Sequence, residues 1–409
     1  PECQSPQAFR EGGGRRPIGR DPARLRGIRA RTALAQTVRR VASGCLTGDG
    51  FAGLSDKSSG GDVMSAAGQG QIDFSADRLS GYLAGRVPGG GGALAIERIS
   101  GGQSNPTYFV SVGATRLVLR KKPSGPILPS AHAVDREYRV LSALAGTDVP
   151  VPRPVLYEPD PAVIGTPFYL MERLEGRVFH DCALPEAARE ERGPLYRAMA
   201  ETMACLHAVD PATVGLADFG KAGNYFERQI ARWSRQWRES SFGSVPELDA
   251  LCDWLAENRP PDDGVTAIAH GDFRVGNLMF HPSEPRVIGI LDWELSTLGH
   301  PLADLAFFTI AWHSRPDEYS GLLGRDLAAL GIPTAADFVA AYQAKARPAG
   351  TLQPFHVAFA LFRFAVIFVG IADRARAGSA AGADAAEIGH LAVNFARRAL
   401  AVAEGRVGI

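Results

Sequence analysis

The 409-residue sequence is poor in cysteine and has no excess of either charge. Its five cysteines form no C-x-x-C pair and none lies near a histidine at metal-ligand spacing, so neither a disulfide framework nor a zinc site is indicated. Forty-four basic residues balance 44 acidic ones, and no global positive field draws the protein to nucleic acid or anionic lipid. We expect a small ligand and a reducing, cytoplasmic setting.

The sequence also lacks a hydrophobic run long enough to cross a bilayer. Its strongest apolar stretch, residues 357–371, is shorter than the roughly 20 residues that a span requires and has Arg363 in its middle. We predict a buried core helix rather than a membrane anchor. A buried Arg363 must be paired, either as a structural brace, which we favour, or as a contact for a substrate anion. No G-x-S-x-G or H-E-x-x-H motif occurs, so hydrolase and zinc protease functions are not indicated.

The first 75 residues differ in composition from the rest of the chain. They are rich in Gly and Arg, contain no histidine and show little apolar periodicity, so we predict a disordered or artefactual extension over residues 1–75. Met64 is followed by a plausible N-terminus and then by a helix capped by Ser75. An organellar transit peptide is the alternative for residues 1–63, but their acidic residues disfavour it.

The remaining sequence divides into a β-rich part and a helix-rich part. Residues 93–122 contain three alternating or apolar runs typical of antiparallel strands, and residues 135–144 have helical periodicity. A further strand is predicted in PFYLMERLEG, after which helical patterns dominate. We therefore predict an α+β protein with an N-lobe over residues 76–174, a helical C-lobe over residues 175–409, and a cleft between them.

The most informative segment is residues 267–308. The loop HGDFRVGN contains Asp272 and Asn277, and the apolar strand that follows it ends at Asp292. Their order and spacing match the needs of phosphoryl transfer, in which one carboxylate accepts the hydroxyl proton of the acceptor. An amide oxygen and a second carboxylate are ligands that Mg²⁺ prefers. We predict Asp272 as the catalytic base and Asn277 with Asp292 as the metal ligands.

Each residue of this segment also has a purely structural explanation. Asp and Asn also favour ordinary turns, and only the three together make the catalytic interpretation preferable. We interpret His270 as packing support for the loop and Asp304 as a cap or brace of the following helix. Asp218-Phe219-Gly220 spells the metal motif of kinases but precedes Asp272, and residues 215–221 match a P-loop without its Ser or Thr. We reject both of these motifs.

The H-G-D-x-x-x-x-N loop and the following I-L-D-W-E strand end resemble the aminoglycoside phosphotransferase and choline kinase branch of the kinase-like superfamily. The resemblance extends over about residues 93–400, and it is closer still to phosphotransferase domains that stand alone in bacteria or are fused to acyl-CoA dehydrogenases. It implies a two-lobed, protein-kinase-like fold that uses ATP and Mg²⁺. The family often has an acidic residue where Gly276 and His300 stand here, which affects substrate details.

The kinase pattern assigns nucleotide-binding roles in the N-lobe. The loop between the first two strands, with Gly102, Ser104 and Asn105, is expected to cover the ATP phosphates. Arg120 on the third strand, paired with Glu137, is expected to orient these phosphates, with Lys122 as the alternative. The hinge between the lobes is expected to contact adenine through three residues: Met171, Glu172 and Leu174. A solvated strand end and an ordinary buried strand remain the structural alternatives.

Three hypotheses remain for the activity. The first is a kinase for a hydroxyacyl-CoA or a hydroxy acid, which rests on the subgroup resemblance. The second is a kinase for an aminoglycoside, choline-like or sugar-alcohol substrate, and the third is a non-catalytic binding module. Four arginines in one helical segment mildly favour an anionic substrate: Arg228, Arg232, Arg235 and Arg238. The expected partners are ATP and a small hydroxyl-bearing molecule, without nucleic acid or membrane, and the oligomeric state is left open.

Overall fold

The computed structural model describes residues 72–99, 105–124, 133–376 and 389–409. Its N-lobe is a five-stranded antiparallel sheet in the order β1-β2-β3-β5-β4, flanked by two helices. The strands are β1 (Leu94–Arg98), β2 (Thr107–Val112), β3 (Thr115–Lys121), β4 (Pro154–Glu158) and β5 (Phe168–Glu172). The helices are α1 (Ala76–Leu83) and α2 (Val134–Leu144).

Alternation along the strands builds the core of this lobe. Successive residues of β2 are alternately half-buried and buried, as expected for a strand with one face on a core. Helix α1 adds Leu79 and Leu83 to the same cluster. Its predicted N-cap is confirmed, because the Ser75 side chain accepts a hydrogen bond from the Arg78 N–H at 3.3 Å.

The residues just before α1 also belong to the N-lobe. Lys121 at the end of β3 is fully buried, and its Nζ lies 2.7 Å from Asp73 Oδ2. Phe74 packs edge-on against Tyr108, and the Tyr108 hydroxyl donates to Asp73 at 2.7 Å. Residues 1–71, for which disorder is predicted, lie outside the described residues.

The C-lobe is mainly helical. Its helices are α3 (Arg189–Ala208), α4 (Tyr225–Arg238), α5 (Pro246–Glu257), α6 (Pro301–His313), α7 (Pro316–Tyr319), α8 (Leu327–Leu330), α9 (Ala335–Gln343), α10 (Pro354–Arg376) and α11 (Gly389–Ala403). Helix α10 is buried over residues 355–373 and packs against α11, α6 and α4. Among the residues that the structure describes, it is the one helix with the length and apolar composition to cross a membrane, and it is enclosed by the protein.

Two small sheets in the C-lobe hold the loops that matter for function. The first has the order β6-β8-β9, and the second pairs β10 with β7. Their strands are β6 (Arg177–Val178), β7 (Ala267–Ala269), β8 (Leu278–Phe280), β9 (Val287–Ile290) and β10 (Thr297–Gly299). The loop from β7 to β8 and the loop after β9 are therefore neighbours, because β8 pairs with β9 and β7 pairs with β10.

Candidate active site

The loop between β7 and β8 presents Asp272 in a defined orientation. Asp272 is buried, and its Oδ2 accepts hydrogen bonds from Arg274 Nε at 3.0 Å and from Asn277 Nδ2 at 2.8 Å. Its Oδ1 is also buried, and it has no hydrogen-bond partner in the part of the chain that the structure describes. One oxygen of the carboxylate is thus held by the fold, while the other is buried without a partner among the described residues, which is unusual for a carboxylate.

Asn277 is fixed by the same contacts. Its amide nitrogen donates to both the carboxylate and the backbone carbonyl of Asp272, each at 2.8 Å. A carboxylate requires a donor, so the amide nitrogen faces Asp272 and the amide oxygen faces away from it. The Leu291 N–H donates to the Asn277 carbonyl at 2.8 Å, which ties this loop to the strand end that carries Asp292.

Asp292 follows β9 in a left-handed backbone conformation, with φ 64° and ψ 66°. Aspartate and asparagine adopt this conformation more readily than most residues, although it is uncommon. The turn starts the short 3₁₀ helix Trp293–Leu295 and leaves the Asp292 side chain partly exposed, at 23%. The carboxylate therefore faces the cleft rather than the core.

Arg120 joins the two lobes at this point. Its Nε lies 2.9 Å from Glu137 Oε2, while its Nη2 lies 2.8 Å from Asp292 Oδ1 and 3.4 Å from Glu294 Oε2. Glu137 is buried and also accepts from the Tyr169 hydroxyl at 3.0 Å and from Asn105 Nδ2 at 2.6 Å. The predicted contact between Arg120 and Glu137 is therefore present, and four further residues contact the pair: Asp292, Glu294, Tyr169 and Asn105.

Burial and neighbouring charges have opposite effects on the pKa values of Arg120 and Glu137. Burial raises the pKa of the Glu137 carboxyl above its ordinary value, although Arg120 opposes the shift. Burial also disfavours the Arg120 cation, but Glu137 and Asp292 outweigh it and hold the Arg120 pKa well above its ordinary value. The Arg120 guanidinium is therefore a permanent positive charge at the junction of the lobes.

The backbone of the catalytic loop is held from behind by Asp304. This residue lies on α6, where its carboxylate accepts from the His270 N–H at 2.6 Å, the Gly271 N–H at 3.0 Å and His207 Nε2 at 3.3 Å. Burial opposes ionisation, yet the hydrogen bond from His207 and the neighbouring charges keep the Asp304 pKa below its ordinary value. The predicted role of Asp304 as a helix cap is wrong, because His300 caps α6 and Asp304 braces the loop.

Two further contacts fix the same loop. Arg363 from α10 is buried and donates to the Gly271 carbonyl at 2.7 Å, so it is the brace that the sequence favours. Gly271 has φ 82°, and a Cβ atom there would lie 2.6 Å from the Leu295 carbonyl oxygen, so only glycine fits. His270 is fully buried and its Nε2 lies 2.9 Å from the Leu291 carbonyl, in keeping with the predicted supporting role.

Several predicted nucleotide-binding residues are not placed against a ligand site. Gly102 and Ser104 lie outside the described residues. Lys122 follows the end of β3, and its N–H donates to the Pro167 carbonyl, whereas Arg120 makes the ion pair with Glu137.

The predicted hinge lies at the end of β5. Met171 and Glu172 pair with Val118 and Leu117 of β3, and Leu174 packs beside Gly289 of β9. The N–H of Glu172 donates to the Arg153 carbonyl at 2.9 Å, so it is not available to adenine.

The two rejected motifs have structural roles. Asp218 pairs with Arg139 of α2, and the Phe219 ring lies 4.1 Å from the Arg136 guanidinium carbon. A Cβ atom at Gly220 would collide with Thr297 and Leu298 of β10. This segment therefore packs the start of the C-lobe against α2.

The arginines of α4 do not form one basic surface. Arg228 donates to backbone carbonyls of residues 221–223, and the Arg232 guanidinium lies 5.5 Å from the Trp233 ring. Arg238 lies 3.9 Å from Asp253, and Arg235 is exposed. The support that these four residues lend to an anionic substrate is weaker than the sequence suggests.

The cleft has the charge balance of a cation site. Four carboxylates (Asp272, Asp292, Glu294 and Glu137) meet the guanidinium groups of Arg120 and Arg274. Burial disfavours the Arg274 cation, but Tyr319 and Asp272 raise its pKa above the ordinary value. No three His, Cys, Asp or Glu side chains converge on one metal position in the described ranges. Mg²⁺ nevertheless needs few protein ligands when it also binds the phosphates of a nucleotide. The side-chain oxygens of Asn277 and Asp292 are ligands of the type it prefers.

The chain is similar in sequence to known proteins. A profile of the family described as "phosphotransferase enzyme family" matches residues 95–349. The chain is 49% identical over 243 residues to the chicken (Gallus gallus) protein named acyl-CoA dehydrogenase family member 11, a match that covers 58% of this chain and 31% of that protein. The chain spans between 30% and 41% of the length of the curated relatives it matches.

Solved structures agree in fold. A crystal structure from Ralstonia eutropha, named as that of a candidate aminoglycoside phosphotransferase, is 42% identical with a TM-score of 0.74, covering 81% of this chain and 99% of that one. A thermostable aminoglycoside phosphotransferase in complex with AMP-PNP and hygromycin B has a TM-score of 0.52 at 15% identity, covering 81% and 98%. This protein belongs to the phosphotransferase enzyme family and has its two-lobed, kinase-like α+β fold.

Proposed function

We propose that this protein transfers the γ-phosphoryl group of ATP, with Mg²⁺, to a hydroxyl group of an anionic small molecule. A hydroxyacyl-CoA ester or a hydroxy acid is the preferred acceptor. The family membership supports phosphoryl transfer to a hydroxyl group of a small molecule. The nucleotide, the metal and the acceptor class are the parts that this proposal adds.

The orientation of Asp272 carries the proposal. Arg274 and Asn277 hold one carboxylate oxygen, and the buried Oδ1 is left to accept the proton of the acceptor hydroxyl. As the acceptor oxygen bonds to the γ-phosphorus, its proton passes to Asp272 and the bond between phosphorus and the ADP oxygen breaks. A carboxylate needed only for the fold would be expected to use both oxygens.

The other residues of the cleft support the nucleotide and the metal. Asn277 and Asp292 supply hard oxygen atoms, and Mg²⁺ bound there would neutralise charge on the transferring phosphoryl group. Arg120, fixed by Glu137, is positioned to hold phosphate oxygens through its guanidinium group. The structural neighbour in complex with AMP-PNP is consistent with ATP as the donor.

The acceptor class rests on the curated relatives and on one charge in the cleft. The relatives carry the name acyl-CoA dehydrogenase, which favours an acyl-CoA-related acceptor over an aminoglycoside. Arg274 places a positive charge beside Asp272, which favours an anionic group of the acceptor at this point of the cleft. The α4 arginines add little to this argument, because Arg228, Arg232 and Arg238 contact the protein itself and Arg235 is exposed.

A substrate panel tests the acceptor. The protein is incubated with Mg²⁺-ATP and with hydroxyacyl-CoA esters, free hydroxy acids, choline, sugar alcohols or an aminoglycoside, and the products are analysed by mass spectrometry. We expect a phosphate adduct on a hydroxyacyl-CoA ester or hydroxy acid, and none on the matched acyl-CoA ester that lacks the hydroxyl group. An adduct on choline, a sugar alcohol or the aminoglycoside alone would refute the proposed acceptor class.

The metal role is tested by Asp292→Ala. Removal of the main carboxylate ligand is expected to abolish the Mg²⁺-dependent part of ATP binding, measured by calorimetry with Mg²⁺ and with EDTA. Since alanine is strained at positive φ, Asp292→Asn serves as a second variant that keeps the turn. Unchanged Mg²⁺-dependent affinity in both variants would contradict the assignment.

A further inference from the structure

Arg274, two residues after Asp272, makes a contact that the motif does not explain. Its Nε donates to Asp272 Oδ2 at 3.0 Å, and its side chain is only 18% exposed. Asn277 donates to the same oxygen from the other side of the loop. Two donors on Oδ2 remove the freedom of the carboxylate to rotate, so the position of Oδ1 depends on both of them.

Gly276 explains how Arg274 reaches this position. A Cβ atom at residue 276 would lie 2.7 Å from Arg274 Nη1, closer than non-bonded atoms approach each other. The next nearest atom is His180 Nδ1 at 3.5 Å, an ordinary contact distance, and the backbone at Gly276 is not left-handed. The backbone therefore does not require glycine at 276, but a side chain there would have to displace the end of the Arg274 side chain.

We propose that Arg274 is a positioning residue that holds Asp272 for proton transfer, and that Gly276 favours this position because it leaves room for the Arg274 guanidinium. The inference rests on the proposed function, since it assigns a role in the same reaction. It implies that the effects of substitutions at residues 274 and 276 on the reaction rate are coupled. A side chain at residue 276 should impair the reaction by displacing Arg274, and so it should do nothing further once Arg274 is gone.

The claim is tested with four variants of the full chain: Arg274→Gln, Arg274→Lys, Gly276→Ala and the double variant Arg274→Gln/Gly276→Ala. The acceptor is the compound that the wild-type protein phosphorylates in the panel, or water, read as slow ATP hydrolysis, if no compound is found. We expect Arg274→Gln to lower kcat by about 10²-fold, as misplacement of a reacting group by about 1 Å does, with KM for ATP unchanged. Arg274→Lys should restore part of kcat, because its ammonium group also donates to a carboxylate.

Gly276→Ala is expected to lower kcat in the same direction but less, because a flexible side chain can move aside. The double variant should be no slower than Arg274→Gln alone. Gly146→Ala is the matched control, since a Cβ atom there meets nothing within 4 Å and the backbone is not left-handed; its kcat should equal that of the wild-type protein. The melting temperature of each variant shows whether it is folded. If Arg274→Gln does not fold, the kcat of Gly276→Ala is compared with that of Gly146→Ala instead.

Each result decides the inference. Near-wild-type kcat in Arg274→Gln, or losses from Arg274→Gln and Gly276→Ala that multiply in the double variant, would overturn it and leave the proposed function intact. A rise in KM for the acceptor at unchanged kcat would also overturn it, because Arg274 would then bind the acceptor instead. A wild-type protein that transfers phosphate neither to the panel nor to water would refute the proposed function itself.

Discussion

The two oxygens of the Asp272 carboxylate lie in different surroundings. Oδ2 is held by Arg274 and Asn277, while Oδ1 has no partner in the described part of the chain. In an Asp272→Asn variant the two donors would keep the amide oxygen on their side. The amide nitrogen, which cannot accept a proton, would then occupy the position of Oδ1.

We therefore expect Asp272→Asn to fold and to bind ATP, with kcat lower by about 10² to 10⁴, the usual effect of removing a general base. KM for ATP should change little, because the nucleotide contacts lie elsewhere. Asp218→Asn is a suitable control, since it alters an aspartate of the rejected kinase-like motif that is exposed and paired with Arg139. Near-wild-type turnover in Asp272→Asn would show that Asp272 is structural.

The spacing of Asp272, Asn277 and Asp292 was enough to predict three residues that the fold brings to one cleft. Arg274 was missed because its role depends on folding back across Gly276, which no periodicity reveals. Asp304 was assigned the wrong role, although a signal was present. A carboxylate inside the apolar helix PLADLAFF needs a partner to be buried, and its partners are backbone N–H groups more than 30 residues away.

At the scale of elements, the short helix α7 anchors the C-terminal helix α11. Glu318 of α7 is buried and accepts from both terminal nitrogens of Arg398, at 2.5 and 2.6 Å. Asn394 Nδ2, at 3.1 Å, and the Arg315 N–H, at 2.9 Å, complete its contacts. Burial opposes ionisation, but Arg398 and the Arg315 N–H hold the pKa of Glu318 below its ordinary value of 4.5.

Since the folded pKa lies below the ordinary value, this stabilisation is present above pH 4.5 and is lost as pH falls through the folded pKa. We expect Glu318→Gln to lower the free energy of unfolding by about 2 kcal/mol at neutral pH, as loss of hydrogen bonds to charged groups does. In urea titrations, the difference from the wild-type protein should shrink below pH 4.5.

Glu247→Gln provides the comparison. Glu247 of α5 pairs at 2.8 Å with the exposed Arg397, which lies on α11 next to Arg398. Such a surface pair contributes about 0 to 1 kcal/mol, so little effect is expected. Equal effects of the two substitutions would show that Glu318 is no special anchor.

Long elements were accessible from the sequence, whereas of the short strands in the C-lobe only β9 was predicted. The predicted helix at residues 135–144 is observed as Val134–Leu144, because its apolar positions recur at helical spacing. Strands β6, β7, β8 and β10 contain only two or three residues each, too few for a periodic signal, whereas the predicted apolar strand before Asp292 is observed as β9, Val287–Ile290. The partners of β6 and β10 are also distant in sequence, as with Arg177 and Phe280.

For the whole molecule, the described structure places the start of the N-lobe before α1. Asp73 is the ion-pair partner of the fully buried Lys121, so removing it leaves a buried charge without that partner. We expect deletion of residues 1–63 to leave the melting temperature almost unchanged, because a segment so rich in Gly and Arg offers little apolar area to bury.

Deletion of residues 1–75 should lower the melting temperature by at least about 3 °C, because leaving the buried Lys121 charge unpaired costs about 3 kcal/mol or more and a chain of this size shifts by roughly 1 °C per kcal/mol. Scanning calorimetry of the two truncations and of Asp73→Asn separates the contribution of the Asp73–Lys121 ion pair to the melting temperature from that of the other deleted residues. A large decrease for the shorter deletion would mean that residues 1–63 pack on the lobes, contrary to the prediction.

The left-handed turn at Asp292 has a consequence for the evolutionary history of such chains. At φ 64° glycine is free of strain and asparagine is well tolerated, whereas most other residues raise the conformational energy by roughly 1–2 kcal/mol. The two replacements that the turn accepts most readily are therefore also replacements that discard the carboxylate. A gene copy released from selection is expected to drift to glycine or asparagine here and to persist as a folded, inert pseudoenzyme. Given the proposed metal role of Asp292, glycine or asparagine at this position in a related sequence is expected to mark such a copy.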